Sequence, residues 1–382
     1  MKLLPFNVTY FADVVDFLKE NWAQNHPIYD EVLFNWQYRI NDQGESDSQL
    51  LVHEDRIIGF LGNIPSVFSI AGEKLSGAGL TMWIIDKKYR NTGLGIRLLM
   101  ETEKRFPMTY TLGCGQQVVP LYKRMGYTYM DSLNRYVIPL DVTGYQKLLP
   151  EAVDLEDIGK WLNHIFPEVD TRELPLDNIS LKQMELLYNR TIEKAFIISQ
   201  FRDESFWNWR YVNSKGYNYH FLGDPETTGA AVVRMDRVYD IDNRLLHGTK
   251  VLRLIELLPA NGDVWHGKTD QRFIALLRAV LLWAKENGCV AADFQLSNNR
   301  LEHILSEVGF KKQNIDYSPN LCGIAGLFQP FRYKVNRINV AWKVKLAEQK
   351  TAIVDPNDTY FVKSDCDMDR PNIWPLPEGW NN

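Results

Sequence analysis

A glycine-containing turn between a predicted strand and a predicted helix constrains this chain more than any other feature. Residues 90–95 (Arg-Asn-Thr-Gly-Leu-Gly) follow the apolar run 80–85 and precede the helix-like run 96–106. Glycines at such a turn let the backbone approach a ligand closely. The free N–H groups at the start of the helix favour a phosphate. We therefore predict a phosphate-binding turn, with Arg90 and Arg97 adding positive charge at its rim.

Two common phosphate-binding motifs are excluded by the residues around this turn. No Gly-Lys-Ser/Thr follows, so the turn is not a Walker A loop. Leu98 stands where the dinucleotide fingerprint needs a third small residue, so a Rossmann turn is excluded as well. The remaining pattern is Arg-x-x-Gly-x-Gly.

A second motif lies downstream. Residues 110–115 predict another strand, and residues 116–127 predict a short helix that ends at Gly126. This helix carries Leu-Tyr-x-x-x-Gly-Tyr, with the first tyrosine at Tyr122. Together the motifs resemble those of the GNAT N-acyltransferases, which bind acyl-coenzyme A. An ordinary strand-to-helix turn followed by a glycine-capped helix is the alternative, and the paired occurrence in the right order argues against it.

The chain also shows an internal repeat. Residues 30–38 resemble residues 203–211, and residues 121–127 resemble residues 304–310. The second copy has no Arg-x-x-Gly-x-Gly after Leu258, so we expect a single cofactor site, in the first copy. The resemblance implies an α/β fold of two tandem GNAT-like domains, each a mixed, mostly antiparallel twisted sheet flanked by helices. We place an intact domain at 1–145 and a degenerate one, which shapes the acceptor site, at 146–382.

Composition restricts the class of protein further. A net charge of −5 argues against nucleic acid as a partner. No apolar run has the length of a membrane span, and the four scattered cysteines suit a reducing cytoplasm. The seven histidines show no metal-ligand spacing, so we predict no metal.

The resemblance implies roles for particular residues. Tyr122 matches the tyrosine that protonates the leaving thiolate, and a backbone N–H of the strand at 81–85 polarises the thioester carbonyl. Separation of this strand from the one ending near Gly115 makes the slot for the pantetheine arm. The predicted cofactor-binding residues are Trp83, Ile84, Ile85, Arg90, Asn91, Thr92, Gly93, Leu94, Gly95, Ile96 and Arg97. The predicted acceptor-binding residues are Trp36, Tyr38, Gly115, Asp365 and Arg370.

The general base is open at this point. Asp86, Glu256 and Asp293 lie on strand-like segments, and proximity of an already neutral amine can also suffice. Near the C-terminus, acids alternate at 365, 367 and 369, a spacing that would place them on one side of a strand. They form either a solvated edge or, with Arg370, part of the acceptor site; calcium is excluded because the loop lacks its glycine and its final glutamate.

The layout is similar to that of tandem GNAT sugar N-acyltransferases. This resemblance implies transfer of an acetyl or short hydroxyacyl group, such as 3-hydroxybutanoyl, to a nucleotide-linked (dTDP) 3-amino-3,6-dideoxyhexose. The pathway would be surface-polysaccharide (O-antigen or capsule) biosynthesis. Two alternatives stay open: a GNAT-fold regulatory protein that binds coenzyme A or a metabolite without catalysis, and an aminoacyl-tRNA-dependent transferase.

Overall fold

Two mixed β-sheets with helices packed against them form the protein in a computed structural model. The structure describes residues 1–148, 156, 159–160, 162, 179–238, 247–313, 338–345, 354–371, 374–375 and 378. Most neighbouring strands are antiparallel, and each sheet contains parallel pairing as well. The predicted fold class, mixed and mostly antiparallel sheets flanked by helices, is confirmed.

The first half of the chain alternates strands and helices. Its elements are β1 (Lys2–Asn7), α1 (Phe11–Asn21), α2 (Glu31–Gln37), β2 (Glu45–His53), β3 (Arg56–Ile70), β4 (Glu73–Ile85), α3 (Leu94–Arg105), β5 (Met108–Leu112), α4 (Val119–Arg124), β6 (Thr128–Met130), β7 (Asn134–Pro139) and α5 (Val142–Gln146). The strand and helix predicted around the glycine turn correspond to β4 and α3.

The second half follows a related order. Its elements are α6 (Leu181–Ala195), β8 (Ile198–Gln200), α7 (Glu204–Trp207), β9 (His220–Asp224), β10 (Gly229–Arg237), β11 (Lys250–Pro259), α8 (Gln271–Glu286), β12 (Cys289–Leu296), α9 (Glu302–Val308), β13 (Lys311–Lys312), β14 (Val340–Val344) and β15 (Thr359–Tyr360). The order β11–α8–β12–α9 matches β4–α3–β5–α4 of the first half. Of the helices that the structure describes, none has the length and apolarity to cross a membrane.

The two sheets exchange strands. β14, from the C-terminal part of the chain, lies between β5 and β6 in the first sheet and is antiparallel to both. β7, from the first half, lies between β12 and β13 in the second sheet. Each sheet therefore needs a strand from the other half of the chain. The boundary at residue 145 stays a prediction, but the halves on either side of it do not build separate sheets.

Two tryptophans at equivalent positions of the repeat meet where the halves join. The indole N–H of Trp36 donates to the Trp209 carbonyl at 3.0 Å, and that of Trp209 donates to the Trp36 carbonyl at 2.9 Å. Such reciprocal contacts are what a two-fold relation between two copies produces. Trp36 is therefore part of the junction between the halves, and its predicted contact with an acceptor stays a prediction.

Candidate functional site

β4 and β5 separate along their length and leave a slot between them. Backbone pairing joins the two strands from Gly77, opposite Met108, to Gly79, opposite Tyr110. Beyond this point the strands are no longer paired, and a cavity lined by both of them lies between them. A second cavity adjoins it, between the end of β4, the glycine turn and α4. The inner cavity has a volume of about 320 Å³ and the outer cavity a volume of about 730 Å³. The predicted slot is therefore present.

The outer cavity lies at the glycine turn, and the inner cavity lies deeper between the strands. The outer cavity is lined by Asn21, Trp22, Trp83, Ile84, Ile85, Tyr89, Arg90, Asn91, Gly93, Gly95, Ile96, Gln117, Val118 and Leu121. The inner cavity is lined by Trp22, Leu80, Thr81, Met82, Trp83, Ile84, Thr111, Leu112, Gly113, Cys114, Gly115, Gln117, Val118, Tyr122, Asp367, Met368 and Arg370. Eight of the eleven predicted cofactor-binding residues border the outer cavity; Thr92, Leu94 and Arg97 are not among these described lining residues.

The turn before α3 has the backbone geometry expected of its glycines. Gly93 is the N-cap residue of α3 and lies in the left-handed region with a φ of 84°, and Asn91 has a φ of 64°. A Cβ on Gly93 would have no heavy atom within 4 Å, so there is room for a side chain. Glycine is favoured here because of the left-handed backbone conformation. The N–H groups of the first turn of α3 have no preceding helical carbonyl to bond, and they can therefore donate to an anion.

Gly95 is required for a different reason, which is close packing against Trp83. The Trp83 indole N–H donates to the Gly95 carbonyl at 3.0 Å. A Cβ on Gly95 would lie 3.3 Å from the same indole nitrogen and 3.4 Å from a side-chain carbon of Ile85. The first turn of α3 is thus held directly against β4, at the wall of the outer cavity.

Arg90 supports the turn as well as adding charge to it. Its Nη2 donates to the Asn21 carbonyl at 2.8 Å, and its Nε donates to the Ile85 carbonyl at 3.2 Å. These bonds tie the turn to the C-terminal end of α1 and to the end of β4. Arg97 is exposed on α3.

β4 carries a bulge in the wall of the slot. Thr81 pairs with Gly62 of β3 and Ile84 pairs with Phe60, so two residues of β4 lie opposite one residue of β3. Met82, at the bulge, has a φ of 47°. A bulge leaves the extra residue outside the regular ladder. Backbone polar groups of β4 that do not bond β3 therefore border the inner cavity, within the strand predicted to polarise a carbonyl.

Tyr122 lies at the inner cavity, on α4. Its side chain is 2 % exposed, and its ring centre is 5.4 Å from that of Trp83. Burial raises the pKa of Tyr122 well above its usual value, and a hydrogen bond with Thr111 opposes this effect in part. The phenol therefore stays protonated at neutral pH, which is the form that can donate a proton.

The C-terminal segment, residues 354–371, reaches both sheets. Val362 forms an isolated bridge with Leu296 at the end of β12, and the Tyr360 hydroxyl donates to the Glu256 carboxylate at 2.8 Å. This segment fills the place in the second sheet that corresponds to the slot of the first. Further along, Asp367, Met368 and Arg370 line the inner cavity. The filled place favours the prediction of one cofactor site.

The alternating acids of this segment do not form a strand, so that expectation is wrong. Lys363–Asp365 is a 3₁₀ turn, and bends and turns follow it. Asp365 and Asp369 are nearly fully buried, so the solvated-edge interpretation is wrong as well. A local spacing rule failed here because the partners of these carboxylates lie far away in the sequence.

Two buried arginines hold the acids on either side of Asp367. Arg202 donates to Asp365 at 2.5 Å and also pairs with Glu256. Arg234 donates to Asp369 through two nitrogens, at 2.8 and 3.1 Å. Although burial raises the pKa of Asp369, the Arg234 guanidinium outweighs it and holds that pKa well below its usual value. We call Arg202 and Arg234 the clamp arginines.

Of the three residues considered as a general base, none lines either cavity. The carboxylate of Asp86 accepts from the Lys88 N–H at 2.8 Å and caps a short turn. That of Glu256 accepts from two tyrosine hydroxyls in the second half. Asp293 pairs with Arg135 and Arg253 inside the second sheet. These carboxylates therefore have structural partners instead of access to the slot.

The buried position of Asp293 predicts a loss of stability in acid. Although burial raises its pKa, Arg253 and Arg135 lower it to about 2. The pKa of Asp293 is lower in the folded protein than in the unfolded chain. The ionised carboxylate therefore stabilises the fold fully above the unfolded pKa, and this stabilisation is lost as the pH falls towards the folded pKa. We expect about 2 kcal/mol of the unfolding free energy to disappear between about pH 5 and pH 2. Urea unfolding across this pH range measures the loss. The unfolding free energy of Asp293→Asn should depend less on pH than that of the native protein. An equal pH dependence would contradict the role of Asp293 in acid stability.

The other predicted acceptor residues divide between the cavity and the core. Gly115 and Arg370 line the inner cavity. Tyr38 is fully buried, with its hydroxyl 2.9 Å from that of Thr81, which itself lines the cavity. Sequence reasoning did not single out Trp22, Gln117 or Met368, which also line the inner cavity. Asp367 lay within the acidic pattern, but its spacing did not distinguish it from its neighbours.

Comparison with known proteins identifies a matching family model in the first part of the chain. Residues 25–149, about a third of the chain, match the family model described as an acetyltransferase (GNAT) domain. No significant match was found among curated proteins.

Solved structures resemble the chain over most of its length. A GCN5-related N-acetyltransferase from Anabaena variabilis has a TM-score of 0.53 at 14 % identity, covering 90 % of this chain and 72 % of its own. Saccharomyces cerevisiae N-myristoyltransferase with bound myristoyl-CoA and inhibitors has a TM-score of 0.53 at 12 % identity, covering 94 % and 84 %. A probable N-acyltransferase from Enterococcus faecalis has a TM-score of 0.55 at 9 % identity, covering 90 % and 72 %. The fold is therefore GNAT-like, and together with the domain match it supports an acyltransferase.

Proposed function

We propose that the protein transfers an acyl group from acyl-coenzyme A to an amine in the slot between β4 and β5. The observation that carries this proposal is that the glycine turn borders the outer cavity, while the β4 bulge and Tyr122 border the adjoining inner cavity. A phosphate-binding turn, a carbonyl-polarising N–H and a proton donor are the parts that acyl transfer from a thioester needs.

The residues of the slot suit an acyl-coenzyme A donor. The open space at Gly93 and the N–H groups at the start of α3 suit a pyrophosphate. The apolar walls formed by Trp83, Ile84 and Val118 suit the methyl and methylene groups of the pantetheine arm. A backbone N–H at the β4 bulge would polarise the thioester carbonyl, and the Tyr122 phenol would protonate the departing sulfur.

The acceptor would enter from the side of the C-terminal segment. Here Asp367 and Arg370 supply charged groups, and the clamp arginines of the second half hold the residues next to them. Following the sequence resemblance, we propose a nucleotide-linked amino sugar, of the dTDP-3-amino-3,6-dideoxyhexose kind, as the acceptor. The donor would carry an acetyl or short hydroxyacyl group, in surface-polysaccharide biosynthesis.

A thiol-release assay tests the proposed function. Acetyl-, 3-hydroxybutanoyl- and longer acyl-coenzyme A are each combined with a panel of nucleotide-linked amino sugars, free amino sugars and unrelated amines. Release of coenzyme A that depends on an amino sugar is the expected result. Calorimetric binding of coenzyme A without release for any amine would instead support a regulatory protein, and release that requires aminoacyl-tRNA would support the transfer-RNA-dependent class.

Tyr122→Phe is expected to lower kcat by about 10- to 100-fold while coenzyme A affinity changes less than about threefold. The substitution removes a hydroxyl at the inner cavity and keeps the buried ring. Steady-state thiol release and calorimetry measure the two effects.

Tyr127→Phe is the matched control. Tyr127 is also a buried tyrosine, but its hydroxyl bonds Thr109 at 2.8 Å and it is not among the cavity-lining residues. We expect turnover near the native rate. Equal losses of kcat in both variants would mean that the hydroxyls act through packing, and the role of Tyr122 would be refuted.

A further inference from the structure

Asp367 is the one carboxylate among the described residues that line the inner cavity. Its side chain is about nine-tenths buried, on a segment that the clamp arginines hold on both sides. The neighbouring acids Asp365 and Asp369 are engaged by those arginines. Asp367 thus differs from the acids beside it in facing the slot.

Arg370 orients this carboxylate. Its Nη1 lies 3.2 Å from Oδ2 of Asp367 and also donates to the Asp367 backbone carbonyl. Arg370 Nε lies 3.1 Å from Nε2 of His26. Burial lowers the pKa of His26 to about 3, with a smaller contribution from Arg370, so the imidazole is neutral. Arg370 is therefore the cation next to Asp367.

One oxygen of Asp367 is left for a ligand. In the part of the chain that the structure describes, Arg370 lies at Oδ2 and no side chain or backbone N–H donates a hydrogen bond to Oδ1. The other titratable groups around the carboxylate are Tyr38, Cys114, Tyr122 and Cys366, all with pKa values raised chiefly by burial. They stay neutral and protonated at physiological pH, so none of them competes as a proton acceptor.

We propose that Asp367 is the general base of the reaction, a role that rests on the proposed function. Its carboxylate binds the acceptor as an ammonium ion and takes one proton from the nitrogen. The nitrogen lone pair then forms the bond to the thioester carbonyl carbon, and the carbon–sulfur bond breaks. The thiolate takes a proton from Tyr122, and the second proton lost by nitrogen returns to the phenolate, so the products are amide, coenzyme A and protonated Asp367. Loss of this proton to solvent restores the carboxylate.

Asp367→Asn keeps the shape of the side chain and removes the proton acceptor. With acetyl-coenzyme A and the best amino-sugar acceptor of the panel, we expect kcat at about pH 7 to fall on the order of 100-fold. The loss of kcat should become smaller at higher pH, by about tenfold for each pH unit up to the pKa of the amine. At these pH values the acceptor binds as the free amine instead of the ammonium ion and needs no base. Coenzyme A affinity should stay near the native value.

Asp16→Asn is the control, since it removes the same charge from an exposed position on α1 and should leave kcat and its pH profile unchanged. If Asp367→Asn lowers kcat by the same factor at every pH, or does not lower it at all, the role of Asp367 is overturned. The proposed function would still stand in that case, because the native protein turns over. If Asp367→Asn does not bind coenzyme A, Asp367→Glu is the test instead. This variant retains a carboxylate and should keep the native pH profile of kcat. A kcat that rises as the amine loses its proton would overturn the role of Asp367 as general base. Absence of turnover in the native protein would refute the proposed function itself.

Discussion

Gly95→Val is expected to weaken coenzyme A binding by at least about 30-fold, which corresponds to about 2 kcal/mol. The position has no room for a branched side chain, because even a Cβ would lie 3.3 Å from the Trp83 indole nitrogen. To fit valine, the first turn of α3 must move away from β4. The N–H groups that this turn offers to a pyrophosphate would move with it. Calorimetric titration with coenzyme A measures the loss.

Gly93→Val is expected to give a loss of similar size for a different physical reason. A Cβ at Gly93 meets no neighbour, but a β-branched residue is strained at a φ of 84°. The turn would relax into another backbone conformation and lose its anion-binding geometry.

Gly72→Val is a matched control for Gly93→Val. Gly72 has a φ of 86° and equally open surroundings, but it lies in the turn between β3 and β4 and not at either cavity. It should lose stability and keep coenzyme A affinity. Near-native affinity in both Gly93→Val and Gly95→Val would show that the donor binds elsewhere.

Arg202→Met is expected to lower the free energy of unfolding by about 3–5 kcal/mol. Arg202 is fully buried and pairs with both Asp365 and Glu256, so its removal leaves two buried carboxylates without their cation. The C-terminal segment should loosen from the second half, and kcat should fall because Asp367 and Met368 lose their fixed positions at the slot. Urea unfolding and thiol release measure the two effects.

Arg190→Met is the control for this prediction. Arg190 pairs with Glu226 at the surface, where the side chains are 33 % and 66 % exposed. An exposed pair contributes less than about 1 kcal/mol, and its removal should leave turnover unchanged. Equal destabilisation by Arg190→Met and Arg202→Met would mean that the buried clamp does not hold the segment.

Much of the donor side of the slot could be predicted from sequence, because its signals are local. Gly93 is favoured by the left-handed φ of its own turn, and the apolar runs before and after it predict β4 and α3. Tyr122 was placed by a short motif that ends at a helix-terminating glycine. In each case the residues that determine the conformation lie within a few positions of one another.

The acceptor side was harder, because it depends on contacts between distant residues. The alternation of acids at 365, 367 and 369 predicted a strand, and ion pairs with Arg202 and Arg234 overrode it. Nothing in the local sequence distinguishes Asp367, which faces the slot, from the neighbours that are neutralised inside the second half.

The strand-to-helix turn, the repeat and the mixed-sheet fold class could be read from the sequence, because turn geometry and hydrophobic periodicity are properties of neighbouring residues. The exchange of β7 and β14 between the sheets, and the path of the C-terminal segment along the inner cavity, became visible only in the folded chain. An apolar strand pattern specifies that a segment enters a sheet but not which sheet it joins. That choice depends on backbone pairing and buried ion pairs between residues far apart in the chain.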